Sequence, residues 1–229
     1  MNEFDLIRDY FTWPIKDSSV TLAVGDDAAI FSLDHGYQLV TTTDTLVEGV
    51  HFSATTSAKD IAHKSLVVNL SDIAAMGAKA KYFTLALSMP KIDKSWLQDF
   101  SDSLKHLSEQ YEVSLVGGDT TRGPLNITIT MIGMVERSKA LTRSGARPGD
   151  GIYVSGTIGD AGFCFWKLSN DLVPSNQELK RLNCPTPRVD LGLVLTGLAS
   201  ACIDLSDGLE QDLSHILKAS SVGAVIEVK

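Results

Sequence analysis

The chain has 229 residues, room for one large or two modest domains with a core of their own. Hydrophobic residues make up 44% and charged residues 21%, an ordinary globular balance, and the formal net charge is −8. That acidity argues against the basic footprint of a nucleic-acid binder. It leaves room for a nucleotide ligand, because acids can hold metal and metal can hold phosphate.

The three cysteines, Cys164, Cys184 and Cys202, are odd in number and show no CxxC spacing. This pattern predicts neither a disulfide framework nor a zinc site and fits a reducing, cytoplasmic setting. The opening MNEFDLIRDYF is acidic and lacks the apolar core of a signal peptide. No apolar run reaches the roughly 20 residues of a membrane span, so no membrane partner is expected.

Residues 2–11 predict a short amphipathic helix. A turn at Gly25-Asp26-Asp27 leads to an expected strand over 28–33, then a hairpin at His35-Gly36 and a strand over 37–42 that would leave Asp44 at its end. Residues 57–77 read as a helix, with Leu66, Leu70, Ile73 and Gly77 on one stripe at about 100° per residue. Asn69 and Asp72 fall off that stripe, one turn apart. A strand over 82–89 closed by Pro90, an amphipathic helix over 93–111 and a short strand over 113–116 follow, ending in Gly117-Gly118-Asp119. The alternation over 125–135 predicts another strand.

The polar, Gly- and Pro-containing segment 137–149 is the best linker candidate. It divides an N-terminal domain (1–137) from a C-terminal α/β domain (150–229), with 138–149 between them. The second part predicts strands over 151–155, 201–204 and 223–228, and helices near 159–168, 175–182, 188–199 and 208–219. Interleaved strands and helices mean α/β or α+β architecture.

The chemistry lies in where the aspartates fall. Asp26 and Asp27 occupy a Gly-led turn, Asp44 and Asp119 follow strands, Asp72 sits on a helix beside Asn69, and Asp204 and Asp207 precede a helix. In open α/β sheets such positions bind ligands, and carboxylate oxygen is the hard ligand magnesium prefers. Thr42, Thr43 and Ser206 could add neutral oxygens. Each position also has a plain structural use: Gly-Asp turns are common, and an Asp before a helix is usually a cap. Composition and spacing therefore reach a metal-and-phosphate site without showing that the segments converge. There is no P-loop, no GxGxxG, no HExxH, no G-x-S-x-G and no protein-kinase motif set. Among the five histidines, His51 stands out because it follows the Asp44 segment.

Six strings taken together are specific. Gly25-Asp26-Asp27-Ala28-Ala29, Thr43–Phe52 (TDTLVEGVHF), Val68–Ala78 (VNLSDIAAMGA), Gly117–Gly123 (GGDTTRG), Leu141–Ala146 (LTRSGA) and Ile203–Leu209 (IDLSDGL) resemble, in order, the motifs of thiamine-monophosphate kinases. The wider superfamily includes aminoimidazole ribonucleotide synthetase.

The resemblance implies a two-domain fold whose N-terminal mixed sheet carries helices on one side and dimerises through the sheet. It implies ATP as co-substrate, several Mg²⁺ ions, and thiamine monophosphate as acceptor. By motif match, Asp27, Thr42, Thr43, Asp44, Asp72, Asp119, Asp204 and Asp207 would hold metal, with Asp26 beside them. Gly118, Asp119, Arg143 and Ser206 would contact ATP, and His51 the thiamine phosphate. Family members carry a further Gly-Gly-Glu-Asp-Tyr-Glu-like segment, so the resemblance also implies a shortened C-terminal domain here. A magnesium–nucleotide-binding module without turnover, or another ATP-using enzyme of the superfamily, is the alternative. The acceptor phosphate, with a second pKa of about 6, is mostly dianionic at neutral pH and needs no general base. Direct in-line transfer is the expected mechanism.

Overall fold

The computed structural model describes residues 3–24, 29–32 and 35–227. Its centre is a four-stranded sheet: β3 (Tyr37–Val47), β4 (Lys79–Met89), β5 (Ser114–Arg122) and β6 (Asn126–Glu136), in the order β3-β6-β4-β5. β4 and β5 run parallel and the other neighbours antiparallel. Two short strands, β1 (Val20–Leu22) and β2 (Ile30–Phe31), pair separately. Parallel strands need a crossover, and α3 (Lys94–Gln110) supplies it. Helix α1 (Glu3–Phe11) packs near α3 and β5.

Helix α2 (Ala58–Ala75) crosses the same face of the sheet. Ser57 caps it by accepting the Asp60 N–H at 3.1 Å. Gly77, at φ +64°, stops it: the Ala78 N–H turns back to the Ile73 carbonyl, a closure that the left-handed conformation permits. Leu66, Leu70 and Ile73 bury against Phe83, Leu85, Ile127, Ile129 and Met131 from the sheet. Each fully buried side chain of this size contributes roughly 1.5–3 kcal/mol.

The expected polar face of α2 is not solvated. Asn69 is 0% exposed, and its amide donates to the Ser65 carbonyl at 3.0 Å. The reason is tertiary: the sheet, α3 and a later helix, α6 (Val189–Leu195), enclose α2 on several sides. Gly192 of α6 lies so close that an added Cβ would stand 2.2 Å from the Ala74 carbonyl oxygen.

Two strands are longer than expected. β3 runs five residues beyond Thr42, so Asp44 lies inside it, paired with Ile129. β-Branched Thr and Val favour this extension, and full pairing with β6 completes it. β5 continues through Gly117-Gly118-Asp119 to Arg122. Its register slips between Leu115 and Gly117, leaving Val116 as a bulge.

The second part of the chain holds α4 (Asp160–Ser169), α5 (Asn176–Asn183), α6 and α7 (Leu209–Ser220), close to expectation. The strands expected over 151–155, 201–204 and 223–227 are absent among the described residues. A strand exists only where a neighbour receives its backbone hydrogen bonds, and these segments find no ladder partner. Tyr153 and Val225 are accordingly left 93% and 87% exposed.

Candidate active site

Side chains alternate along β3, so Thr42, Asp44 and Leu46 turn toward the helices while Thr41, Thr43 and Thr45 face the other way. On the helix side, the Thr42 hydroxyl donates to Asp72 Oδ2 at 2.5 Å. Asp44 comes within hydrogen-bonding reach of the same Asp72 carboxylate. Asp204, from the segment between α6 and α7, adds a third acid: it accepts the Ser71 hydroxyl and is repelled by Asp72, Asp212 and Asp44. A strand, a helix and a distant loop thus bring three carboxylates together.

The electrostatic consequence is strong. Burial, then the charge of Asp72, pushes the Asp204 carboxyl up to about 6; the Ser71 hydrogen bond opposes this. Burial and Asp72 also raise Asp44, while His51 pulls it down. No Lys or Arg among the described residues offsets the charge of Asp44 or Asp204. Among the described residues no three of His, Cys, Asp and Glu stand close enough to form one ion's complete ligand set. Magnesium rarely asks for one: it typically takes one or two carboxylates and completes its shell with substrate phosphate and water. A cluster of repelling hard oxygens fits that ion.

His51 lies on a tight turn whose Nδ1 accepts the Val47 N–H at 3.0 Å. In the neutral ring this leaves the proton on Nε2, a donor. Lys64 of α2 secures the turn by donating to the His51 carbonyl at 2.9 Å, and burial lowers its pKa. Beyond His51 opens a cavity of about 750 Å³, walled by the 49–57 loop and by α4 and α5, with Thr55, Phe165, Leu179 and Lys180 among its lining. Cys184 closes part of the wall, donating to Asp60 at 3.1 Å; burial, reinforced by that carboxylate, pushes its thiol up to about 12 and leaves it inert as a nucleophile.

The remaining expected residues fall elsewhere. Asp26 and Asp27 lie outside the described residues. The Thr43 hydroxyl is on the opposite face, sharing a hydrogen bond with Thr130 at 2.9 Å. Pairing places Asp44, Ile129, Leu85 and Gly118 in one row across the sheet, and Asp119, Ala86, Thr128 and Thr45 in the next. Alternation therefore sets Asp119 on the Thr45 face, away from Asp44. Asp207 is exposed and held by the Gln211 amide at 3.0 Å. Ser206 is exposed on the same loop. Arg143 is exposed too; its segment is tied down through Ser220, whose hydroxyl donates to the Arg143 carbonyl and accepts the Gly145 and Ala146 N–H groups.

Sequence reading passed over Ser71, Lys64 and Asp212. The Asp212 carboxylate, 2% exposed, accepts N–H groups from Ser206, Asp207 and Gly208. Its only signal was an acid in the first turns of a helix, a pattern too common to single out.

A mixed sheet with helices on one face and acids gathered from a strand, a helix and a loop defines a class of α/β protein. Residues 25–135 match the family described as AIR synthase related protein, N-terminal domain, and the chain is of that class. More narrowly, it belongs to the thiamine-monophosphate kinase family. It is 49% identical over 233 residues to the thiamine-monophosphate kinase of Haemophilus influenzae, covering 100% of this chain and 71% of that protein. The solved thiamine-monophosphate kinase of Stenotrophomonas maltophilia K279a superposes with a TM-score of 0.86 at 43% identity, over 95% of this chain and 71% of that one. A solved complex of AaThiL with AMPPCP and TMP superposes at 0.76 with 30% identity, over 95% and 69% of the two chains.

Proposed function

We propose that this chain transfers the γ-phosphoryl group of ATP to the phosphate of thiamine monophosphate, producing thiamine diphosphate. The observation that carries the proposal is the meeting of Asp44, Asp72 and Asp204, with His51 acting on the charge of Asp44 and itself lining a cavity large enough for an organic acceptor. The kinase relatives and the AMPPCP- and TMP-bound neighbour support the choice of donor and acceptor.

Magnesium ions, each held by one or two of Asp44, Asp72 and Asp204, would supply the positive charge that lets two anionic phosphates approach and that stabilises the transferring group. Asp27, Thr42, Thr43, Asp119 and Asp207 are further proposed ligands, and Gly118, Asp119, Arg143 and Ser206 proposed nucleotide contacts, on the family motif. The Thr42 hydroxyl holds the Asp72 carboxylate in place. His51 presents Nε2–H to the acceptor phosphate, its ring fixed by Val47 and its turn by Lys64. No side chain needs to remove a proton, since the acceptor dianion is itself the nucleophile. The transferring bond forms to that oxygen as the bond to the β–γ bridging oxygen breaks.

The outer sheet face, with Tyr37, Leu39, Thr41, Thr43 and Thr45 exposed, is the surface through which a second copy would dock. Asp119 lies on that face by register, so a dimer would enclose it. Among the described residues no helix is long and apolar enough to cross a membrane, and a cytoplasmic location is proposed.

The test is direct. The chain is incubated with ATP, Mg²⁺ and thiamine monophosphate, and thiamine diphosphate is sought by chromatography. Diphosphate formed by the parent chain and lost in Asp72→Asn supports the reading. Bound nucleotide without diphosphate would leave only the binding-module alternative.

A further inference from the structure

We infer that Asp212 is a positioning residue for phosphoryl transfer: its buried carboxylate shapes the loop that carries Asp204, Ser206 and Asp207. The inference rests on the proposal that this loop serves a metal–nucleotide complex.

One oxygen, Asp212 Oδ2, accepts the N–H groups of three successive residues, Ser206 at 3.0 Å, Asp207 at 3.1 Å and Gly208 at 3.2 Å. Successive N–H groups converging on one point form a nest that ordinarily binds an anion, and a helix N-terminus reinforces it. Here the anion comes from within the chain. Gly208, at φ 106° and ψ 157°, takes a conformation open essentially to glycine alone, which lets the backbone curl over the acid. Because the nest is filled, a nucleotide phosphate cannot use these N–H groups, and the loop offers its side chains instead.

Capping alone does not call for this arrangement. A Ser or Asn at the cap would serve α7 without burying a charge, whereas Asp212 is 2% exposed and reaches back out of the helix. A carboxylate so enclosed is tolerable because three donors surround it. Removing it would free the loop, and with it the spacing of Asp204 from Asp72.

The experiment compares the parent chain with Asp212→Asn and Asp212→Ala. Binding of Mn²⁺ in the presence of AMPPCP is followed by electron paramagnetic resonance, and the folded fraction by circular dichroism. The Asn variant, which keeps an acceptor oxygen in place, is expected within about threefold of the parent affinity. The Ala variant should bind at least about tenfold more weakly while folded, with kcat reduced at least about tenfold and KM for thiamine monophosphate within about twofold. Ala binding as tightly as the parent, or Asn and Ala weakened alike, overturns the inference. Should Ala not fold, Asp212→Glu replaces it: Glu keeps the charge but displaces the oxygen, so it should bind more weakly than Asn, and Glu equal to Asn overturns the inference. A parent chain that binds no Mn²⁺–AMPPCP overturns the metal–nucleotide proposal itself, and this inference with it.

Discussion

The Thr42 hydroxyl donates to Asp72 across 2.5 Å, fastening the edge strand β3 to helix α2 where Asp44 faces the same carboxylate. That bond sets the distance between the two acids. Without it, Asp72 can swing away from Asp44 to relieve repulsion.

Thr42→Val keeps the shape and removes the donor. It should lower stability by about 1.5–3 kcal/mol, the usual loss for a hydrogen bond to a charged group. Turnover should fall about tenfold, with a rise in the Mg²⁺ concentration needed for half-maximal rate. Thermal denaturation and a magnesium titration check both, and unchanged magnesium dependence would contradict the role given to Thr42.

Asp204→Asn separates function from stability. Asp204 is raised to about 6 in the folded chain from its ordinary value of 3.8, so at neutral pH its ionised form opposes folding. Removing that charge should stabilise the metal-free protein on the order of 2 kcal/mol while reducing turnover at least about a hundredfold. A melting temperature in EDTA that drops instead would show that repulsion is not dominant.

The same shift fixes a pH trend. Between about 4 and 6 the folded state binds a proton at Asp204 that the unfolded state has already released, so stability falls as pH rises through that window. Asp17, held down to about 2 by its Lys81 and Ser19 hydrogen bonds against the opposing effect of burial, loses its contribution only as pH falls below 3.8 and does not cancel the trend. Metal-free protein should therefore melt higher at pH 5 than at pH 7.5, and Asp204→Asn should flatten the difference. Activity should show an acid limb near 6 that moves lower as Mg²⁺ is raised, because cation and proton compete for the same oxygens.

Lys64→Met tests the His51 turn. The ammonium that holds the His51 carbonyl is lost while the aliphatic stem is kept. KM for thiamine monophosphate should rise about five- to tenfold with KM for ATP unchanged. Equal effects on both would place Lys64 elsewhere in the mechanism.

Gly192→Ala probes the seat of the second half of the chain on α2. The new methyl would stand 2.2 Å from the Ala74 oxygen, a backbone atom that cannot step aside cheaply. A loss of about 1–3 kcal/mol is expected, with a rise in the Mg²⁺ concentration needed for half-maximal rate as Asp204 moves from Asp72. Normal stability and kinetics would mean that α6 tolerates displacement.

Much of this chain was readable in one dimension. The bounds of α2 and α3 follow from Ser57 and Asp93 as caps and from their apolar spacing, and the alternation of β6 foretold a half-buried strand. These are local effects, set by neighbours within a few residues. The motif strings likewise named Asp44, Asp72 and Asp204 as acids of interest. What they could not supply was the meeting of those acids, since that depends on β3 lying beside α2 and on α6 carrying the 204 loop to it.

Tertiary structure decided the rest. It buried Asn69, which periodicity assigned to a polar face, because a helix enclosed on several sides has no polar face. It carried β3 and β5 past their expected ends, because pairing extends a strand where propensity is neutral. It left 151–155, 201–204 and 223–227 without strands, because hydrophobic alternation makes no strand without a partner. It also turned Thr43 and Asp119 away from Asp44, since a side chain's face follows from register, which belongs to two strands and not to one.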